Sequence, residues 1–147
     1  MSRHHRPDRR AHKRLDMGNA VLATMPWKVD KTFSMIEGIL KRLETTGDID
    51  TVKGEPVFQA PDRHEWFDIA PALEGTARFF EIHAETVGRD MPTAPLRQLA
   101  NKFMYGVMIF PSDTELVRDS LPALRAESLK MTLNYADTLS QAVQEAA

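Results

Sequence analysis

Between residues 112 and 147 apolar side chains return every three or four positions, and little but helix can use that spacing. Val117, Leu121, Leu124, Ser128, Met131, Tyr135, Leu139, Ala142 and Ala146 fall on one face, and all but Ser128 are apolar. Leu116, Leu129, Leu133, Ala136 and Val143 widen the stripe, so this segment is expected to touch more than one neighbour. Pro122 interrupts it. In a continuous helix its ring would meet the carbonyl of Arg118, so the reading is a break, with one helix ending near Asp119 and another following. At the front, Ser112-Asp113-Thr114-Glu115 has the form of a capping box, in which side chains bond the unpaired amides of a helix start.

The same period marks three earlier helices. Asp30 is the expected N-cap of the first, Phe33, Ile36, Leu40 and Leu43 form its face, Met35 and Ile39 lie beside them, and Gly47 ends it. Lys41 and Arg42 suit the negative end of its dipole. The second covers 70–87, with Pro71 in its first turn, Leu73, Ala77, Phe80 and Ala84 as its stripe, and Gly88 as its stop. The third is expected from Thr93 to Pro111, where Leu96, Leu99, Phe103 and Val107 recur with Met104 and Met108 alongside. A short helix over 15–25 should put Val21, Leu22 and Met25 on one side and stop before Pro26.

Residues 48–68 have a different character. Ile49-Asp50-Thr51-Val52 alternates, Lys53-Gly54 marks a turn, and Val57-Phe58 and Trp66-Phe67 flank a polar tip with Pro61. This predicts a small antiparallel hairpin or three-stranded flap whose aromatics lean on the helices or on a partner, because two isolated strands are marginal in water. The expected fold is mainly α, a bundle of four or five helices with a small β-hairpin insertion at about 49–68, forming a single domain over 15–147.

The 147 residues suit one domain with a real core. The absence of cysteine excludes disulfides, thiolate metal sites and a cysteine nucleophile. The longest run without a strongly polar residue, 103–110, is far too short for a membrane span. No apolar region suitable for a secretory signal follows the basic N-terminus, so a cytoplasmic location is expected. Charge is unevenly placed. Residues 1–14 hold six basic residues and one acidic, a net of +5, whereas the remainder holds 13 basic and 20 acidic, a net of −7. With no apolar residue larger than alanine after Met1 except Pro7, residues 1–14 are expected to be a disordered basic arm.

Arg3-His4-His5-Arg6-Pro7, followed by His12, Arg14-Leu15-Asp16, Asn19, Leu22 and Met25-Pro26, resembles the start of small uncharacterised proteins of bacterial plasmids, integrative elements and prophages. The resemblance covers about the first 30 residues. It implies a genomic setting and no activity.

No catalytic constellation is present. The seven glycines are scattered singly, and neither Gly-x-x-x-x-Gly-Lys nor Gly-x-Gly-x-x-Gly is present, so the common loops that bring backbone amides onto a phosphate are absent. On a helix Glu81 and Glu85 share a face and His83 points away from both, so the three cannot form one metal site, and His83 reads as a surface or partly buried histidine. Asp62, His64, Glu65 and Asp68 read as a solvated loop tip, and His4, His5 and His12 as loose metal contacts at most. Asp48 and Asp50 fall beside a turn, and nothing in the sequence buries them as acid–base catalysis by paired carboxylates would require. No cofactor and no metal site is expected, and the chain reads as non-catalytic.

Two surfaces carry the functional expectation. Arg3, Arg6, Arg9, Arg10, Lys13 and Arg14 can neutralise phosphates without reading sequence. Trp27, Phe58, Trp66 and Phe67 lie on short or irregular elements, where aromatics anchor interfaces, and the many methionines adapt to irregular partners. The wide apolar sector of 112–147 would also suit a homodimer. The primary reading is a regulatory or accessory protein of a bacterial mobile element that binds a protein or nucleoprotein partner, with no membrane partner. The alternatives are direct nucleic-acid binding through the arm and an enzyme of unrecognised type.

Overall fold

Residues 18–59 and 64–146 are described by the computed structural model, and they form five α-helices and a three-stranded sheet. Of the expected helix over 15–25, Gly18 and Asn19 are helical, but the helix does not continue to residue 25: a 3-10 turn at Leu22–Thr24 follows instead. The backbone here finds partners elsewhere. Val21 pairs with Thr132 in an isolated antiparallel bridge, and the Leu22 amide donates to the Met131 carbonyl at 2.8 Å. Leu22 and Met25 then enter the core.

Helix α1, Pro26–Thr46, starts one turn before the expected cap at Asp30. Proline is well suited to a first turn, since its missing amide would have had no helical partner. Asp30 instead accepts two hydrogen bonds from Arg125, at 2.6 and 2.9 Å. Val29, Phe33, Ile36, Ile39 and Leu40 are buried, and the helix ends at Gly47 as its sequence indicates.

Strands β1 (Asp50–Val52), β2 (Glu55–Gln59) and β3 (Trp66–Asp68) follow in antiparallel order β1-β2-β3. Val57 pairs with Asp50 on one side and Asp68 on the other. The β1–β2 turn is Lys53-Gly54, with φ of 54° and 81°. Two successive positive φ values match the twist of a tight hairpin, and the glycine adopts its value without steric cost. Val57 is buried, and Phe58 meets Phe67 edge to face at 5.8 Å. The sheet docks where Gly38 leaves a gap on α1. A Cβ there would lie 2.8 Å from the end of the Phe58 ring.

Helix α2, Ile69–Val87, buries Leu73, Ala77, Phe80 and His83. Helix α3, Ala94–Tyr105, is shorter than its apolar spacing suggests. It stops at Gly106, whose φ of 64° places it in the left-handed region that glycine occupies freely, so Val107 and Met108 leave the helix.

Helix α4, Pro111–Leu129, runs unbroken through Pro122, contrary to the expected break near Asp119. Val117, Leu121, Leu124 and Ser128 are buried on one face spanning the proline, and this packing outweighs one lost hydrogen bond and a local clash. Its cap also lies two residues earlier than expected. The Asp113 carboxylate accepts the Phe110 amide at 2.7 Å, and the Asp113 amide donates to the Phe110 carbonyl at 2.9 Å. The true break is at 130–132, where the Thr132 hydroxyl accepts the Tyr135 amide at 3.1 Å and opens α5, Leu133–Glu145.

One apolar cluster joins all five helices. Helix α4 packs on α1 and α3, and α2 packs on α3 and α5. Ion pairs follow these contacts: Arg125 with Asp30 and Arg118 with Glu44 join α4 to α1, and Arg97 with Glu81 at 2.6 Å joins α3 to α2. Among the described residues, no helix is long and apolar enough to cross a membrane.

Candidate functional site

Arg3, Arg6, Arg9, Arg10, Lys13 and Arg14 lie outside the described residues. The four aromatics expected at an interface divide into two pairs. Phe58 and Phe67 are half-buried against the protein's own core, because pairing of β2 with β3 puts them on one face of the sheet, where they meet each other and Phe58 lies over Gly38 of α1. They are therefore packing residues. Trp27, in the first turn of α1, and Trp66, at the start of β3, are exposed but stand on separate elements.

A different surface gathers the apolar side chains left in water. Met104, Tyr105, Val107, Met108, Phe110 and Leu116 are all exposed, and Tyr105 and Met108 reach 74% and 70%. Among the described residues, 11 large apolar side chains are exposed and six of them fall between positions 104 and 116. The cause is local. Gly106 ends α3 before its apolar period is complete, and Pro111 starts α4, so the connecting residues have no helix of their own to bury them. Ile109 alone turns inward.

The turn is nevertheless held firmly. Lys102 donates to Asp113 at 2.7 Å and its ammonium sits 5.2 Å from the centre of the Phe110 ring. Burial acts to raise the pKa of Asp113, but the Lys102 hydrogen bond, the Phe110 amide and the Lys102 charge together hold it below the ordinary carboxylate value.

A second cluster is polar and interior. His83, 4% exposed, hydrogen-bonds Tyr135 through Nδ1 at 2.7 Å and Glu127 through Nε2 at 2.9 Å. Arg89 adds a 2.6 Å bond to the same Glu127 oxygen. The His83 hydrogen bond and then Arg89 hold Glu127 below the usual carboxylate range, so it is ionised at neutral pH and can only accept. Nε2 of His83 therefore donates to Glu127, and Nδ1 shares a hydrogen bond with the Tyr135 hydroxyl. Three groups in this order can polarise a nucleophile, but a groove on the same helices is lined by other residues. That groove, about 580 Å³ between α1, α2 and α5, is bordered by Lys28, Ala72, Gly75, Phe79, Ala136 and Asp137. The cluster's evident work is to tie α2, α4 and α5 together.

The sequence reading of His83 as a surface or partly buried residue is thus corrected. His83 lies three positions beyond Phe80 on the buried face of α2, and that spacing is the signal that could have placed it inside. Neither Glu81 nor Glu85 meets it, as the helical period requires; Glu127 and Tyr135 come from 44 and 52 residues away. Among the described residues, no three histidine, aspartate or glutamate side chains converge as a metal site. Comparison with protein-family models, curated proteins and solved structures finds no match to this chain.

Proposed function

We propose that this protein is a non-catalytic binding module, a regulatory or accessory protein that docks a protein or nucleoprotein partner on the turn joining α3 to α4. The observation that carries this reading is the concentration of exposed Met104, Tyr105, Val107, Met108, Phe110 and Leu116. Isolated apolar side chains on a surface are ordinary, whereas a cluster of them marks interaction sites. Methionines adapt to a partner's contours, and tyrosine and phenylalanine supply rigid contact area. The Lys102–Asp113 bond and the Asp113 cap hold the turn, which lowers the cost of ordering it on binding. The N-terminal resemblance supports a bacterial mobile element as the setting.

Co-purification from a bacterial host tests the surface. Wild type should retain a reproducible stoichiometric partner, and Met108→Ser combined with Tyr105→Ser should lose it while keeping the wild-type melting temperature. Retention by that variant but loss in Trp27→Ala or Trp66→Ala would move the docking surface to the tryptophans. No stoichiometric partner for wild type would overturn the reading. Direct nucleic-acid binding is the second reading, favoured by the +5 charge of residues 1–14.

A further inference from the structure

We infer that the segment received by the α3–α4 turn is basic and amphipathic, a peptide or helix carrying Leu-like side chains flanked by Lys or Arg. This rests on the docking reading above and narrows its partner to one chemistry. Ser112, Glu115, Leu116 and Asp119 share the outward face of α4 beside the turn and are all exposed, while Val117, Leu121 and Leu124 face the core. The nearby cations are engaged: Lys102 with Asp113 and the Phe110 ring, Arg118 with Glu44. Among the described residues, Glu115 and Asp119 have no ion-pair partner, so the charge bordering the apolar turn is negative.

Charge and apolar content together decide between occupants. A second copy would bring the same acidic border and another body of net −7 against the turn, and like charges facing each other oppose association. The chain's own residues 1–14 have the right charge, but beyond Met1 and Pro7 they offer no apolar side chain larger than alanine to cover Met104, Met108 and Phe110. Phosphate backbones would meet Glu115 and Asp119. A basic amphipathic segment satisfies both halves of the surface. Its apolar residues supply affinity, and its cations supply orientation and encounter rate.

Fluorescence anisotropy with the full chain separates the outcomes. Two labelled amphipathic peptides of equal length and equal leucine content are used, one with lysine and one with glutamate on the polar face. The Leu/Lys peptide should bind at least about tenfold tighter than the Leu/Glu peptide, a difference that shrinks with added salt. Met108→Ser should weaken Leu/Lys binding. Glu115→Lys with Asp119→Lys should weaken it about three- to tenfold and strengthen Leu/Glu binding. All three positions are exposed, and unchanged melting temperatures establish that the variants fold. If both peptides bind alike and both are lost in Met108→Ser, the charge assignment is overturned and the docking surface stands. If Leu/Lys binding survives Met108→Ser unchanged, the acidic body is attracting it elsewhere and both readings fall. If neither peptide binds, the basic partner is overturned and co-purification alone judges the surface.

Discussion

Glu127 is the residue on which the interior polar cluster depends, because it accepts from His83 and Arg89 through one oxygen. Its pKa is lowered chiefly by the His83 hydrogen bond and next by Arg89. A carboxylate of this kind contributes stability that is fully present above the unfolded value, about 4.3, and is lost as pH falls through the lower folded value. Glu127→Gln keeps the shape and removes the charge. It should lower stability at about pH 7 by roughly 1–3 kcal/mol, since His83 and Arg89 lose their ionised acceptor. The gap from wild type should then narrow as pH falls toward about 3. Urea midpoints across that range check the sign; parallel curves would remove Glu127 as the source. The acidic neighbours of His83 in sequence place it at or near the surface, although its spacing from Phe80 carries the signal of a buried stripe. Its partners were not legible, because a pairing across 44 or 52 residues leaves no periodic trace.

The helices and the sheet show how neighbours decide what local preference leaves open. Pro122 signals a break on local grounds, and burial of Val117, Leu121 and Leu124 on one face holds the helix together. Gly38 is the opposite case. Within a helix, alanine in place of glycine is ordinarily worth about 1 kcal/mol of stability. Here the new Cβ would lie 2.8 Å from the Phe58 ring, closer than real contacts allow. Phe58 is itself packed edge to face against Phe67, so the ring, or the sheet that carries it, must shift. Gly38→Ala should therefore destabilise the protein, with faster amide exchange at Val57 and Phe58 than elsewhere. A gain in stability would show that the sheet is loosely docked. The presence and order of the strands, the Lys53-Gly54 turn and the Gly47 and Gly88 stops were readable because each depends on residues close in sequence. The early ends of α3 and of the 15–25 segment depend on Gly106 and on pairing of Val21 with Thr132.

At the scale of the molecule, charge and apolar surface are assigned to different parts of the chain. The +5 segment at 1–14 precedes a body of net −7, so any binding of nucleic acid by the intact protein should come from that segment. Titration of labelled duplex DNA should give a log–log salt slope of roughly −4 to −5 for the full chain and negligible affinity once residues 1–14 are removed. Equal binding by the shortened protein would place the contact on the body; no binding by the full chain at low salt would eliminate the nucleic-acid reading. The proposed docking role of the α3–α4 turn is independent of this outcome, since Met108 and Tyr105 belong to the body and are exposed in it.

Helix periods, glycine stops, the hairpin turn and the charge division were all present in the order of residues, because each arises from neighbours a few positions apart or from composition alone. Tertiary packing decided the rest. It turned Phe58 and Phe67 inward, joined His83 to Glu127 and Tyr135, carried α4 through Pro122 and left the α3–α4 turn uncovered. The physical reason is that burial is a property of surfaces brought together from distant segments. An apolar residue in sequence has the same desire to leave water whether or not the fold provides a place for it.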